Sequence, residues 1–294
     1  MSFPLKRILH VCGTLLAVIA IVFLGLRLRS YLDQIDFSTL LSSLWIYLLL
    51  LSFLFSFCNF FLVFIWYRCL EYLDVHPLFS RATWIYGISQ IGKYIPGNIF
   101  HLAGRQTLGM AESLPGGKIL QSIIFELGIL ACTGAAIFCP PFIVQYFFPS
   151  LAPGWLFGIF GICCITVPYV AGRMLKKAVR SALIWAIFYL CSFGAAFAAL
   201  LSLLTEAPLS PMELFYASTA YIVAWYVGFV TPGAPAGLGI REGVMLFLMK
   251  DIPFPEADLL LAIMLCRIVT ILGDFLFFLE SVGIRYISAK KDEA

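Results

Sequence analysis

Six long apolar stretches dominate this chain: residues 8–26, 44–66, 119–147, 155–171, 182–204 and 259–284. Each is of a length to cross the hydrocarbon of a bilayer, which takes about 20 apolar residues as a helix. Two further stretches, residues 82–110 and 214–249, are apolar but interrupted by Pro96-Gly97 and Pro232-Gly233. Proline removes a backbone donor and clashes one turn back, while glycine accepts turns that other residues refuse. A straight span through either break is not expected. Of the 294 residues, 62% are hydrophobic and 12% charged, whereas soluble domains carry about 25% charged residues. Such a chain cannot keep a water-facing surface covered, which excludes a soluble enzyme and a disordered protein.

The charges between the stretches predict how often the chain crosses. If both broken stretches return to the side they came from, one face collects Lys6, Arg7, Arg68, Arg81, Lys118, Arg173, Lys176, Lys177, Arg180, Arg285, Lys290 and Lys291. The other face collects only Arg27, Arg29 and Lys250, beside the acidic Glu206, Glu213, Asp251, Glu256 and Asp258. Twelve cations against three is a positive-inside bias, and it places both termini in the cytoplasm. Residues 8–26 exceed a signal-peptide apolar region and lack a small-residue cleavage site, so they read as an uncleaved first helix. Trp45, Trp66, Trp155 and Trp185 stand near span ends, where interfacial anchors are expected.

An internal repeat is expected at an offset of 136 residues, which superposes Pro96-Gly97 on Pro232-Gly233, Arg105 on Arg241, Leu102 on Leu238, Gly92 on Gly228 and Thr83 on Thr219. Each half then holds three crossings and one hairpin, and an odd number of crossings turns the second half upside down. The expected fold class is an all-α polytopic membrane protein, with about six transmembrane helices and two re-entrant broken hairpins in an inverted repeat. It forms a single membrane domain over residues 1–294, with repeat one near 1–150 and repeat two near 151–294.

Irregular backbone at membrane depth survives where protein or a wet cavity meets its hydrogen bonds. A helix restarting after Pro-Gly aims free N–H groups and a positive dipole end at that cavity. Arg105 and Arg241 each follow the break proline by nine residues, and a guanidinium beside such a helix end favours an anion, phosphate above all. The candidate substrate-binding residues are Arg105, Arg241, Glu242, Lys93, Pro96, Gly97, Asn98, Pro232 and Gly233. The bland alternative makes the breaks packing hairpins with snorkelling arginines; Lys93, beside Tyr94, fits either use. Arg241 and Glu242 are adjacent, so on a helix they point about 100° apart. One division has Arg241 facing the substrate and Glu242 pairing with Arg267. Glu126, Arg267 and Asp274 lie within spans, where ionisable groups are costly and face a cavity or a partner. For Glu126 and Asp274, proton coupling and a structural ion pair both fit.

Other chemistry finds little footing. The nine cysteines form no CxxC pair and the three histidines are far apart, so no metal site is expected and the cysteines read as small packing residues. Residues 87–94 match GxxxxGK, but Tyr94 stands where Ser or Thr must bind magnesium and no strand precedes it. No nucleophile–base grouping is visible, so neither an enzyme nor a cofactor is expected, and nothing points to nucleic acid. Gly154-x-x-x-Gly158 is a helix-packing pattern.

Gly92-Lys-Tyr-Ile-Pro-Gly97 with Arg105, and Thr231-Pro-Gly with Gly237-Leu-Gly-Ile-Arg-Glu-Gly243, resemble the signature of the lysylphosphatidylglycerol synthase transmembrane-region family, the flippase-like part of multiple peptide resistance factors. The resemblance extends over nearly the whole chain. It implies two re-entrant hairpins around a central cavity and transfer of lipid headgroups between leaflets of a bacterial inner membrane. The implied partners are membrane lipids, an anionic phospholipid or a polyprenyl phosphate, and enzymes of membrane glycan or lipid synthesis. The soluble aminoacyl-transferase domain of the full-length synthases is not expected here, so aminoacylation does not carry over. Two rivals stand beside the flippase reading: a proton-coupled transporter of a small anion, and a non-transporting scaffold for a glycan or lipid synthesis pathway.

Overall fold

A computed structural model describes residues 44–95, 99–148, 154–205, 208–230, 240–250 and 256–292, together with Val22, Leu26, Arg29 and Asp33. Among the described residues the regular structure is helical, with no strand. In chain order the helices are α1 (Leu44–Tyr72), α2 (Phe79–Gln90) running into a 3-10 turn (Ile91–Tyr94), α3 (Phe100–Ala111), and α4 (Gly116–Thr133) running through a π turn (Gly134–Phe138) into α5 (Cys139–Phe147). They continue with α6 (Gly154–Met174), α7 (Lys177–Leu204), α8 (Pro211–Val230), α9 (Ile240–Met249) and α10 (Glu256–Asp292).

Five described segments are long and apolar enough to cross a membrane: Leu44–Tyr72, Gly116–Val144, Gly154–Met174, Lys177–Leu204 and Ala257–Ser288. They coincide with the second to sixth expected spans. The expected first span, residues 8–26, lies outside the described residues apart from Val22 and Leu26. α1 carries apolar side chains on its buried side (Leu48, Phe55, Val63) and on its exposed side (Ile46, Leu49, Phe53). A helix apolar all round suits lipid, not water. The π turn precedes Pro140-Pro141, whose missing N–H groups free the carbonyls of Ala136 and Ile137 and disturb the regular ladder there.

Both interrupted stretches are helix pairs folded back on themselves. In the first, the backbone at Gly92 lies against His101, Gly104 faces Ser89, and the Arg81 guanidinium meets the Glu112 carboxylate at 3.1 Å, so α2 and α3 run antiparallel. In the second, the Tyr216 hydroxyl near the start of α8 donates to the Leu248 carbonyl near the end of α9 at 3.1 Å. The breaks themselves, including Pro96, Gly97, Asn98, Pro232 and Gly233, lie outside the described residues.

The chain divides into two compact units, Met1–Phe125 with Arg267–Ala294, and Glu126–Cys266. In the first, the α1 and α10 backbones approach closely: a Cβ on Gly273 would sit 2.9 Å from the Ser52 carbonyl, and Phe60 meets Phe277 edge-on at 5.1 Å. In the second, rings fasten α8 to its neighbours. Tyr221 stacks on Phe197 of α7 at 4.2 Å, Phe215 stacks on Phe157 of α6 at 4.1 Å, and Tyr216 meets Phe142 of α5 at 5.0 Å.

Two expectations are corrected. Trp66 is not an interfacial anchor. α1 continues past it to Tyr72, Trp66 is fully buried, and its indole N–H donates to Ser122 Oγ at 2.9 Å. The Gly154-x-x-x-Gly158 pattern packs no described helix, since a Cβ on either glycine would meet nothing within 4 Å.

Candidate functional site

In the first unit, the C-terminal half of α10 offers one face made of Asp274, Phe277, Ser281 and Arg285, spaced so that they align along a helix. α2 and its 3-10 turn lie along that face in three contacts. At the tip of the hairpin, Lys93 Nζ meets Asp274 Oδ2 at 2.6 Å and the Tyr94 hydroxyl donates to the same oxygen. In the middle, Gly87 lies so close to Ser281 that any Cβ would collide with its side chain, and Phe277 borders the same point. At the base, Glu112 joins Arg81 at 3.1 Å to Arg285 at 3.1 Å, and the Arg285 guanidinium covers the Trp84 ring at 5.5 Å.

Asp274 is the centre of this arrangement. Its side chain is 0% exposed, whereas that of Lys93 is 26% exposed. The other carboxylate oxygen, Oδ1, accepts a bond from Asn59 Nδ2 of α1 at 3.1 Å. Three donors from two elements thus satisfy a carboxylate inside a membrane-spanning segment. Such a charge survives only when its partners are in place; removing one member of a buried pair typically costs about 3–5 kcal/mol. One helical stretch further along α10, Ser56 Oγ of α1 lies 2.7 Å from Glu280 Oε1.

Arg105 sits on α3, and its residue surface is 1% exposed. Its guanidinium lies 3.8 Å from the centre of the Tyr86 ring and 5.4 Å from that of Trp66. The negative faces of those rings offset part of the cost of holding a cation away from water. His101 lies one turn before Arg105 on the same helix, and its buried Nδ1 has no hydrogen-bond partner among the described residues. α3 begins at Phe100 after Ile99, which supplies no side-chain cap, so its first N–H groups are left for other acceptors.

The structure therefore brings Lys93 and Asp274 together, with Arg105 on the same hairpin. Arg267 is buried on α10, and Glu126 is buried at the start of the second unit. Arg241 and Glu242 occupy the first turn of α9, half-buried; Glu242 and Arg267 belong to different units. The eight described cysteines are free thiols, and among the described residues no His, Cys, Asp and Glu group is arranged to hold a metal ion.

Sequence reasoning missed Asn59, Tyr86 and Glu112. Asn59 left a signal, as the one amide in an otherwise apolar span. Tyr86 and Glu112 left none, because an aromatic residue and a loop carboxylate are ordinary in their settings. Compared with known proteins, the chain matches no family model, no curated protein and no solved structure.

Proposed function

We propose that this chain is a flippase-like membrane protein that moves the phosphate-bearing headgroup of an anionic phospholipid or a polyprenyl phosphate between leaflets of a bacterial inner membrane. This reading takes six spans, the first within residues 8–26, both termini in the cytoplasm, and two re-entrant hairpins as an inverted repeat. It agrees with the resemblance to the lysylphosphatidylglycerol synthase transmembrane-region family.

One observation carries it: Asp274, fully buried in a span, holds Lys93 and Tyr94 at the tip of a folded-back hairpin. Ionisable groups are expensive at such depth and mark the paths of polar cargo. In the resting state Asp274 keeps the Lys93 ammonium paired. An incoming phosphate competes with Asp274 for that ammonium, and Arg105 on the same hairpin supplies a planar guanidinium donor suited to phosphate oxygens. The headgroup thereby avoids bare hydrocarbon while its chains remain in lipid, which lowers the desolvation barrier. A headgroup bound equally in both orientations shifts no equilibrium, so net movement draws on a gradient or on downstream consumption of the lipid.

The decisive experiment reconstitutes the protein in liposomes with fluorescent phosphatidylglycerol or a fluorescent polyprenyl phosphate and follows leaflet exchange. Exchange by the parent, slowed by Arg241→Ala and by Lys93→Met/Asp274→Asn, is the expected result. Absence of exchange by the parent under every imposed gradient removes the proposal. The burial of both Glu126 and Asp274 favours a second reading, a proton-coupled carrier of a small anion; uptake of a soluble phosphate into the same vesicles without lipid exchange selects it. A scaffold, the third reading, tolerates Arg105→Ala and Arg241→Ala in a complementation assay.

A further inference from the structure

Ser56 of α1 sits between two oxygens. Its Oγ lies 2.7 Å from the Phe53 carbonyl of its own helix and 2.7 Å from Glu280 Oε1 on α10. A carbonyl oxygen only accepts, and a hydroxyl has one hydrogen to give. If Glu280 were a carboxylate it too could only accept, and that single hydrogen would have to serve both contacts. Ser122, in the same unit, meets the same need differently. It gives its hydrogen to the Ile119 carbonyl at 2.7 Å and accepts the Trp66 indole N–H at 2.9 Å. At Ser56 the outside group is Glu280, so the missing hydrogen belongs to its carboxyl.

The surroundings agree. Glu280 lies inside a membrane-spanning segment, about 12 Å along the helix from its end at Ser288. Its Oε2 is buried and makes no hydrogen bond among the described residues, where Ser56 is its one partner. From Leu44 to Tyr67, α1 carries no charged residue, and its titratable side chains there are Tyr47, Cys58 and Tyr67. The nearby cations are committed elsewhere: Arg68 to Glu71, Arg81 and Arg285 to Glu112, and Lys93 to Asp274. Arg105 lies against Tyr86 and Trp66. Asp274 has an ammonium and two neutral donors, which is what a buried carboxylate requires; Glu280 has neither, and as an anion it would be a bare charge out of water.

We propose that Glu280 is a proton-binding site: its carboxyl holds a proton, donates it to Ser56 Oγ while α1 and α10 are in contact, and yields it to water when they part. Release converts the carboxylic acid to a carboxylate and leaves the proton on water. It also removes the donor on which Ser56 depends, so the ionised form favours separation of the two helices at this point. Ser56 and Asn59 share a face of α1, and Asn59 donates to Asp274, so the anchor of the first hairpin belongs to the same helix contact. The inference rests on hydrogen-bond geometry and stands whether or not the chain moves lipids.

The test is infrared difference spectroscopy of the full-length protein in dodecyl maltoside, a detergent without a carbonyl, read in the band of protonated carboxyl groups. At neutral pH, where a carboxyl in water is ionised, the parent is expected to show this band and Glu280→Gln to lose the intensity of one group. Lys93→Met/Asp274→Asn is expected to keep it, because Asp274 is held as a carboxylate. Raising the pH into the alkaline range removes the band reversibly in the parent. Glu280→Gln also keeps the melting temperature at neutral pH within about 2 °C of the parent, since its amide N–H replaces the acid O–H as donor to Ser56. An undiminished band in Glu280→Gln, or a loss in Lys93→Met/Asp274→Asn instead, places the proton elsewhere and overturns the proposal. A band that survives alkaline pH makes Glu280 a fixed structural acid, and a Glu280→Gln protein that melts well below the parent shows that a carboxylate was needed; either result overturns it as well.

Discussion

The two hairpins share a local pattern, a helix, a Pro-Gly break and a second helix with arginine nine residues after the proline. They are fastened by different chemistry. The first adds charge to ring contacts such as Phe79 stacked on Phe64 of α1 at 4.9 Å: Lys93 and Tyr94 meet Asp274, and Glu112 stands between Arg81 and Arg285. The second is tied by rings, with Tyr221 on Phe197, Phe215 on Phe157 and Tyr216 against Phe142. Their arginines also differ in setting. Arg105 lies more than a turn into α3 and is buried under Tyr86, whereas Arg241 follows the first residue of α9 and is half-buried. A break specifies a reversal of the chain and leaves open what holds the reversed segment. Buried charge holds strongly and fails abruptly when one partner is lost; stacked rings hold by many small contacts and fail gradually.

That contrast sets the order of expected effects. Lys93→Ala removes the ammonium from the buried Asp274 carboxylate, leaving it to the neutral donors Tyr94 and Asn59, and is expected to destabilise the protein by about 3–5 kcal/mol, read as thermal unfolding in detergent. Lys93→Met/Asp274→Asn recovers most of the loss because no bare charge remains; equal losses in the two variants break the comparison. Next comes Gly87→Ala, which drives a methyl group into Ser281 and is expected to cost about 1–3 kcal/mol. Adding Ser281→Gly to that chain restores the melting temperature if close approach is the cause. In the second hairpin, Tyr216→Phe keeps the ring contact and removes only the bond to the Leu248 carbonyl, for about 0.5–1.5 kcal/mol. The smallest effect belongs to Glu112→Gln, at about 0.5–1 kcal/mol for a partly exposed pair. Its loss should shrink in high salt, while that of Tyr216→Phe stays constant; parallel salt responses erase the distinction between the hairpins.

The spans are legible in the sequence because the bilayer's demand is local: about 20 consecutive apolar residues suffice. The five described spans accordingly fall where the apolar runs place them. The hairpins are legible for a similar reason, since proline and glycine act on the backbone where they stand. The fastenings are not. Asp274 meets Tyr94 and Asn59 across 180 and 215 residues of chain, and no local pattern encodes that meeting. Trp66 was misjudged for the same cause: proximity to the end of an apolar run suggests an interface, yet Ser122, 56 residues away, receives its N–H. Gly154 and Gly158 have the spacing of a packing motif, but spacing cannot say whether a partner helix is present.

The amino-acid order alone therefore determined the all-helical class, the long apolar segments and the places where two stretches turn back, because each follows from the solvation of neighbouring residues and their backbone freedom. Tertiary structure decided which ionisable groups are paired and that Arg105 lies against aromatic rings. Those outcomes depend on distances between residues far apart in the chain, where a buried charge is tolerable only if its partners arrive from elsewhere.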